Sequence, residues 1–253
     1  MPLISTHAII LSTLRYGESS KIVRLATREH GVQSAIVKGA LRPRSRFGAA
    51  LQPLSGGVAH VILSERRDLH ILTAFDVNTL PLPLTAEVPR YAAAAALAEL
   101  MVRVAPAEPH PEAFDSLETA LRELQAEPTG AVAALGIRRV WLLVAALGFA
   151  PVLDLCTRDG REVEPGGPLP FSAAEGGALC RICSRTGDVT PLPEDARNAL
   201  TALLSPTAPL PSLDARHAAA HRRLLTRYIR HHLAEGGALP ALDFWQAQTG
   251  APG

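Results

Sequence analysis

Near residue 80 the hydrophobic pattern changes period, and few architectures accommodate both halves of such a chain. Before that point, apolar, β-branched runs at His7–Leu14, Lys21–Ala26, Val32–Val37, Val58–Leu63 and Leu69–Phe75 are separated by polar or glycine-containing breaks. Runs of this length and composition read as strands, and five of them read as a small barrel or sandwich. After Thr79-Leu-Pro-Leu-Pro83 the period becomes helical. Residues 88–104 are apolar nearly all round, as in a helix buried within a bundle, and Pro106, Pro109 and Pro111 end the segment. Phe114, Leu117, Leu121 and Leu124 mark a second helix to about residue 126. A third runs from Ala131 to Leu147 and stops at Gly148, and helical signals return at 194–204 and 216–233.

The reading is an α+β multidomain protein. A five-stranded barrel occupies residues 1–80, and five is the strand count of the OB-fold. Residues 81–150 and 193–240 form an α-helical domain, into which an irregular, zinc-finger-like module at 151–192 is inserted. Residues 241–253 are a C-terminal tail. The richest apolar stretch, Ala131–Leu153, is broken by Arg138 and Arg139, so no transmembrane segment is expected. The N-terminus lacks a cationic region and a cleavage site, and the expected location is cytoplasmic.

Charge is unevenly placed. The 253 residues carry a formal net charge of +1, yet residues 1–80 hold ten basic and five acidic side chains and the remainder is net negative. Between the third and fourth runs, Gly39-Ala-Leu-Arg-Pro-Arg-Ser-Arg-Phe-Gly48 places a cation at every second position from Arg42 to Arg46. With Lys38, these cations would project beside a barrel groove and track a phosphate backbone. The competing reading is a solvated loop. Aromatic platforms are sparse there, with only Tyr16, Phe47 and Phe75, so binding would lean on charge and weaken steeply with salt. The segment from Arg216 repeats the theme. At 100° per residue, Arg216, Arg223, Arg227 and Arg230 share a stripe about 60° wide, opposite Ala218, Leu225, Ile229 and Leu233. No acidic residue lies between Asp214 and Glu235, which favours contact with a polyanion or acidic partner over a plain solvated face. His221 and His232 fall near the apolar boundary.

All three cysteines lie in the irregular module. Cys156-Thr-Arg-Asp159 is followed after twenty residues by Cys180-Arg-Ile-Cys183. Two hooks with two-residue gaps are a common frame for tetrahedral zinc, although the fourth position holds Asp159 where a thiolate is usual. The competing reading is a decayed site with buried thiols. His110-Pro-Glu112 provides the H-x-E of a zinc deaminase, but Leu179 stands where that motif has proline, and a filled four-ligand site leaves no open position for catalysis. No phosphate loop and no nucleophile elbow is present.

The sequence resembles the RecO family of recombination mediators. The likeness is carried by Tyr16-Gly-Glu-Ser19, Thr27-Arg-Glu-His-Gly31, Val37-Lys-Gly-Ala40, and Ser45-Arg46 leading to Leu51-Gln-Pro-Leu54. It continues through Ala98-Glu-Leu100, Phe114-Asp-Ser-Leu117, Leu147-Gly-Phe-Ala-Pro151, and Phe171 with Gly176-Gly-Ala-Leu-Cys180-Arg-Ile-Cys183. The resemblance implies an OB-fold, a helical domain and a zinc module. It implies a non-enzymatic role: binding single- and double-stranded DNA, annealing strands, and cooperating with RecR to load a RecA-type recombinase where single-strand-binding protein coats DNA. By position it makes Lys38, Arg42, Arg44 and Arg46 the leading DNA contacts, with Lys21 and Arg24 second, and Cys156, Cys180 and Cys183 structural Zn2+ ligands. For the acidic tail of single-strand-binding protein, the surroundings of Arg138, Arg139 and Trp141 are the candidate. Two other classes stay open: a zinc-dependent nucleic-acid enzyme using Glu112, and an adaptor that meets only acidic proteins.

Overall fold

The computed structural model describes residues 2–64, 68–234 and 236–248. Arg66 and Arg67, counted in the basic N-terminal segment, and residues 249–253 of the expected tail lie outside them. Two compact units divide the chain at residue 125.

The first unit is built on a closed barrel with strand order β1-β2-β3-β5-β4. Its strands are β1 (Leu3–Tyr16), β2 (Ser20–Thr27), β3 (Gly31–Val37), β4 (Gly56–Ile62) and β5 (Leu69–Thr79). All neighbours are antiparallel except β3 and β5, which pair in parallel through Ser34–Ile36 and Leu69–Ile71. Each expected run falls within or overlaps a strand, and β1 and β5 reach farther than the apolar pattern. The reason is that β1 serves two partners, β4 along Leu3–Ile9 and β2 along Ala8–Tyr16. A register shift between Ile10 and Ser12 lets it bend from one to the other. The interior is filled by Ala8, Ile10, Val23, Leu25, Ala35, Val37, Ala59, Val61, Leu72 and Phe75. They follow the two-residue period along most strands; in β5 a register shift opposite His60 and Val61 sets Leu72 and Phe75 three residues apart.

A short helix α1 (Leu82–Thr85) leads into α2 (Val88–Val104) and α3 (Pro111–Ala126). Pro89 in the first turn of α2 costs no hydrogen bond there, and the alanine-rich body is buried on nearly every side. The loop after α2 is stitched to β3: Val32 N–H donates to the Pro106 carbonyl at 3.0 Å, and Gln33 Nε2 to that of Ala107 at 2.8 Å. Gly31 has φ +66°, and a Cβ there would lie 2.2 Å from the Glu108 carbonyl oxygen. Only glycine permits that approach. Arg28 and Asp115 pair at 2.8 Å, and the guanidinium holds the carboxyl below its usual range.

The second unit contains α4 (Val132–Ala146), a three-stranded antiparallel sheet of order β7-β6-β8, then α5 (Glu194–Leu204), α6 (Ala215–His232) and α7 (Pro240–Ala247). The sheet strands are β6 (Leu169–Ser172), β7 (Gly177–Ala178) and β8 (Thr190–Leu192). By length and composition Thr129–Ala146 could cross a membrane; here Ile137, Val140, Trp141, Leu143 and Val144 are wholly buried, and α4 packs against α5 and α6. Tyr228 crosses Trp141 edge-on at 5.1 Å and donates to the Phe149 carbonyl. Asp214 caps α6 by accepting from the His217 N–H at 2.8 Å. The start of the expected tail is the helix α7, anchored by buried Leu242 and Trp245.

Candidate nucleic-acid interface and metal centre

Strand register gathers cations at one end of the barrel. Arg15 stands opposite Lys21, and Lys21 opposite Val37, so Lys38 follows at the same level. Residues 38–47 then run as turns over this end. Leu41 N–H donates to the Ser19 carbonyl at 2.9 Å, and Ser45 N–H to that of Arg42 at 2.9 Å. The loop is pinned from below, because Phe47 and Leu51 enter the barrel core. Lys38, Arg42, Arg44 and Arg46 are exposed, and the Arg46 guanidinium lies 5.3 Å from the Phe47 ring centre. Among the described residues none of these, nor Lys21, forms an ion pair. Sequence reading missed Arg15; its place six residues before Lys21, across the Gly17-Glu-Ser19 turn, was the available signal.

Arg24 stands apart. It points to the outer face, where it donates to Ser34 Oγ at 3.0 Å and reaches the Val102 carbonyl at the end of α2. Half-burial lowers its pKa. The α6 stripe is also divided. A cleft of about 870 Å³ runs beside it, with Arg216, Arg223, Arg227 and Arg230 among its lining. Arg227 pairs with Asp188 at 3.7 Å and also bonds the Thr190 hydroxyl, while Arg230 pairs with Asp243. Arg216 and Arg223 are exposed and, among the described residues, carry no ion pair.

The surroundings of Arg138, Arg139 and Trp141 are not a surface pocket. All three are buried, and Arg138 donates to the Ala202 and Pro209 carbonyls at 3.1 and 2.9 Å. Arg138 thus satisfies one carbonyl near the end of α5 and one in the loop beyond it, a structural use of a planar multi-donor group.

The two cysteine hooks converge. One ligand atom each from Cys156, Asp159, Cys180 and Cys183 lies within 4.8 Å of the others, a spacing that suits a tetrahedron with Zn–S bonds of about 2.3 Å. The first hook is closed by Gly160 N–H on the Cys156 carbonyl and tied to β7 by Thr157 N–H on the Ala178 carbonyl. In the second, Cys183 N–H points at Cys180 Sγ at 3.5 Å. Asp159 Oδ2 lies 3.5 Å from Cys180 Sγ and 3.4 Å from Cys183 Sγ. Hydrogen bonds from Cys156 and from the Arg161 N–H hold the Asp159 carboxyl down to about 2. Loss of solvent, with Cys180 and Asp159 as neighbours, pushes the Cys183 thiol up to about 12, whereas N–H donation lowers Cys180. Three thiolates and one carboxylate thus form a set that can hold a metal ion, which must displace thiol protons to enter. Arg158, inside the first hook, joins the two: it donates to the Cys183 carbonyl at 2.6 Å and the Thr186 carbonyl at 3.0 Å, and is bidentate to Glu175. His110 and Glu112 pair with each other at 3.5 Å in the first compact unit.

Residues 1–79 match the family model for the N-terminal part of recombination protein O, and residues 86–239 that for its C-terminal part. A DNA repair protein RecO of Anaeromyxobacter dehalogenans strain 2CP-C is 37% identical over 243 residues, covering 92% of each chain. Those of Myxococcus xanthus and Rubrobacter xylanophilus are 34% identical over 251 residues and 32% over 238, covering 96% and 92% of each chain. With both halves matched and relatives aligned along nearly their whole length, the chain belongs to the RecO family of DNA repair proteins.

Proposed function

We propose that the protein is a non-enzymatic mediator that binds single- and double-stranded DNA without sequence preference and anneals complementary strands. The observation that carries this is a group of cations, Lys21, Lys38, Arg42, Arg44 and Arg46, at one end of a closed barrel, with no ion pair among the described residues. Phosphate contacts fix position and leave bases unread, so affinity falls with salt and not with sequence. Pairing two strands is opposed by like charge. A scaffold with a second cationic surface offsets that repulsion, and Arg216 and Arg223 beside the α6 cleft supply it. No group is assigned a catalytic role.

For the module we propose a structural Zn2+ held by Cys156, Asp159, Cys180 and Cys183, closing the two hooks on one centre. The reading extends to the partners implied by family resemblance: RecR, and the acidic tail of single-strand-binding protein. It places the protein in the cytoplasm at the nucleoid. The helical domain is proposed as 81–150 with 193–240, and the module as 151–192.

The test is oligonucleotide binding and strand annealing across a salt series, with metal content measured on the same sample. Arg42→Ala, Arg44→Ala and Arg46→Ala should each reduce the single-strand salt slope by about 0.7. Unchanged affinity in the triple variant would move the site away from this loop, and annealing lost with Glu112→Ala would instead favour an enzyme.

A further inference from the structure

The metal centre is built from two unlike hooks, and the difference shows which ligands an oxidant would reach. Cys156 is 2% exposed, whereas Cys180 and Cys183 are half-buried. Ile182, between those two in sequence, is 62% exposed, so the second hook forms an outer side of the centre. Exposed Arg185, two residues beyond Cys183, carries no ion pair among the described residues and keeps the approach positive, the setting in which thiolates react.

The chain between Cys180 and Cys183 is wound like a helical turn. Ser184 N–H donates to the Cys180 carbonyl at 2.9 Å, and Ile182 has helical angles of φ −78° and ψ −51°. Residues three apart on such a turn have Cα atoms about 5 Å apart, inside the window that a disulfide needs. The two ligand sulfurs already lie within 4.8 Å of each other. Side-chain rotation can close that gap while the backbone turn is kept. The first hook offers no comparable pair, because its fourth residue is Asp159.

That asymmetry decides what oxidation does to the metal. In a four-thiolate site, joining one hook leaves two thiolates on the other. Here it leaves Cys156 and Asp159, one thiolate and one hard carboxylate oxygen, a set that binds zinc poorly. A single two-electron event is therefore enough to empty the centre. The second hook stays beside the first, because Arg158 still donates to the Cys183 and Thr186 carbonyls. Reduction then returns both sulfurs to their places.

We propose that Cys180 and Cys183 are a site of reversible oxidation, at which a peroxide joins them as a disulfide and the metal is expelled from the module. The inference rests on the Zn2+ reading above and adds a chemical event to it. A bound metal holds the sulfurs as thiolates, the nucleophilic form. One sulfur attacks an oxygen of hydrogen peroxide, the O–O bond breaks, and the departing hydroxide takes a proton and leaves as water. The second sulfur attacks the resulting sulfenic acid; the S–S bond forms, the S–O bond breaks, and a second hydroxide leaves with a second proton. Two thiolates, one hydrogen peroxide and two protons thus give one disulfide and two waters, the sulfurs losing the two electrons that the peroxide gains.

The experiment uses the full chain loaded with zinc, desalted under argon and treated with hydrogen peroxide. Free thiols, zinc remaining on the desalted protein, and linked peptides identified by mass spectrometry are read on the same samples. One Cys180–Cys183 bond should form and one zinc ion be lost for every two thiols consumed, with Cys156 still open to alkylation after denaturation. Dithiothreitol with added zinc should restore thiols and metal together. Asp159→Cys, in which joining either hook leaves two thiolates, should keep more of its zinc than wild type at equal thiol loss. A link to Cys156, a link between two chains, or sulfinic acid in place of the disulfide would overturn the proposal. So would zinc retained by wild type after the pair is joined, or equal retention in Asp159→Cys and wild type. In each of these cases, zinc bound at the start leaves the metal reading standing. A chain that takes up no zinc overturns both.

Discussion

Replacing Phe47 by alanine separates the anchoring of the cationic loop from its charge. The ring is 5% exposed and shares the barrel core with Leu51, Val37 and Leu72. Truncating a buried phenylalanine costs about 3–5 kcal/mol. Here the loop keeps its backbone bonds from Leu41 to Ser19 and from Ser45 to Arg42 and can settle toward the gap, so the lower end, about 3 kcal/mol, is expected. In a chain of this size each kcal/mol moves Tm by about 2–4 °C, giving a fall of about 6–12 °C. No cation is removed, so the dependence of single-strand affinity on salt keeps its wild-type slope. Affinity at any one salt concentration falls about three- to tenfold, because the loop must now be ordered as DNA binds. Phe47→Leu restores most of the apolar volume and should recover more than half of both losses. Circular dichroism melting together with anisotropy titrations at several salt concentrations reads both quantities. A Tm within about 2 °C of wild type, or a slope that drops as though charges had gone, would refute the argument that the loop is held from beneath.

The remaining expectations concern the second unit and the response to acid. Asp159→Cys should raise zinc affinity and Asp159→Ala lower it, since thiolate binds zinc better than carboxylate; competition with a chromophoric chelator measures both, and the reverse order would remove Asp159 from the ligand set. Gly177→Ala would put a Cβ 2.1 Å from the Val152 carbonyl oxygen; the backbone shift should cost about 1–3 kcal/mol and lower metal content, because Cys180 lies three residues on, and unaltered melting would contradict the close approach. Burial lowers the pKa of His70 and of His221, the latter also facing His217 and Asp195. The unfolded chain therefore takes up these protons first, and stability should fall as pH drops below about 6.5 toward the folded values. His221→Leu should flatten that fall in urea titrations at pH 7 and pH 5, and a curve identical to wild type would exclude the contribution.

The barrel was legible because each strand pairs on both sides and must alternate. The ends of β1 and β5, where exposed residues such as Leu3, Asp76 and Asn78 extend the ladder, escaped the pattern, as did Gly56 and Gly57 at the start of β4. The metal centre was legible because ligand spacing is local: each hook needs only four consecutive residues. Arg158 was not, since its work is defined by carbonyls at Cys183 and Thr186 that spacing cannot place. The α6 stripe looked uniformly cationic because the helix carries no acid of its own, yet Asp188 and Asp243 arrive from other elements and claim Arg227 and Arg230. Trp141 and the two arginines before it read as a mixed surface because the sequence does not show which face α5 and α6 cover. The eight residues of α7 were too few for a helical period to stand out, and two buried anchors decide their conformation.

Strand β1 has a temporal consequence. It leaves the ribosome before the other strands of the barrel, but its N-terminal half pairs with β4, and the parallel β3–β5 contact that seals the ring needs Leu69–Ile71. Until β4 emerges, the first half of β1 is a sticky ribbon, and until β5 follows, β3 and β4 each keep one side unsatisfied. Nascent chains stalled before β5 are therefore the form most prone to mispairing with one another, and the form a holding chaperone would be expected to grip.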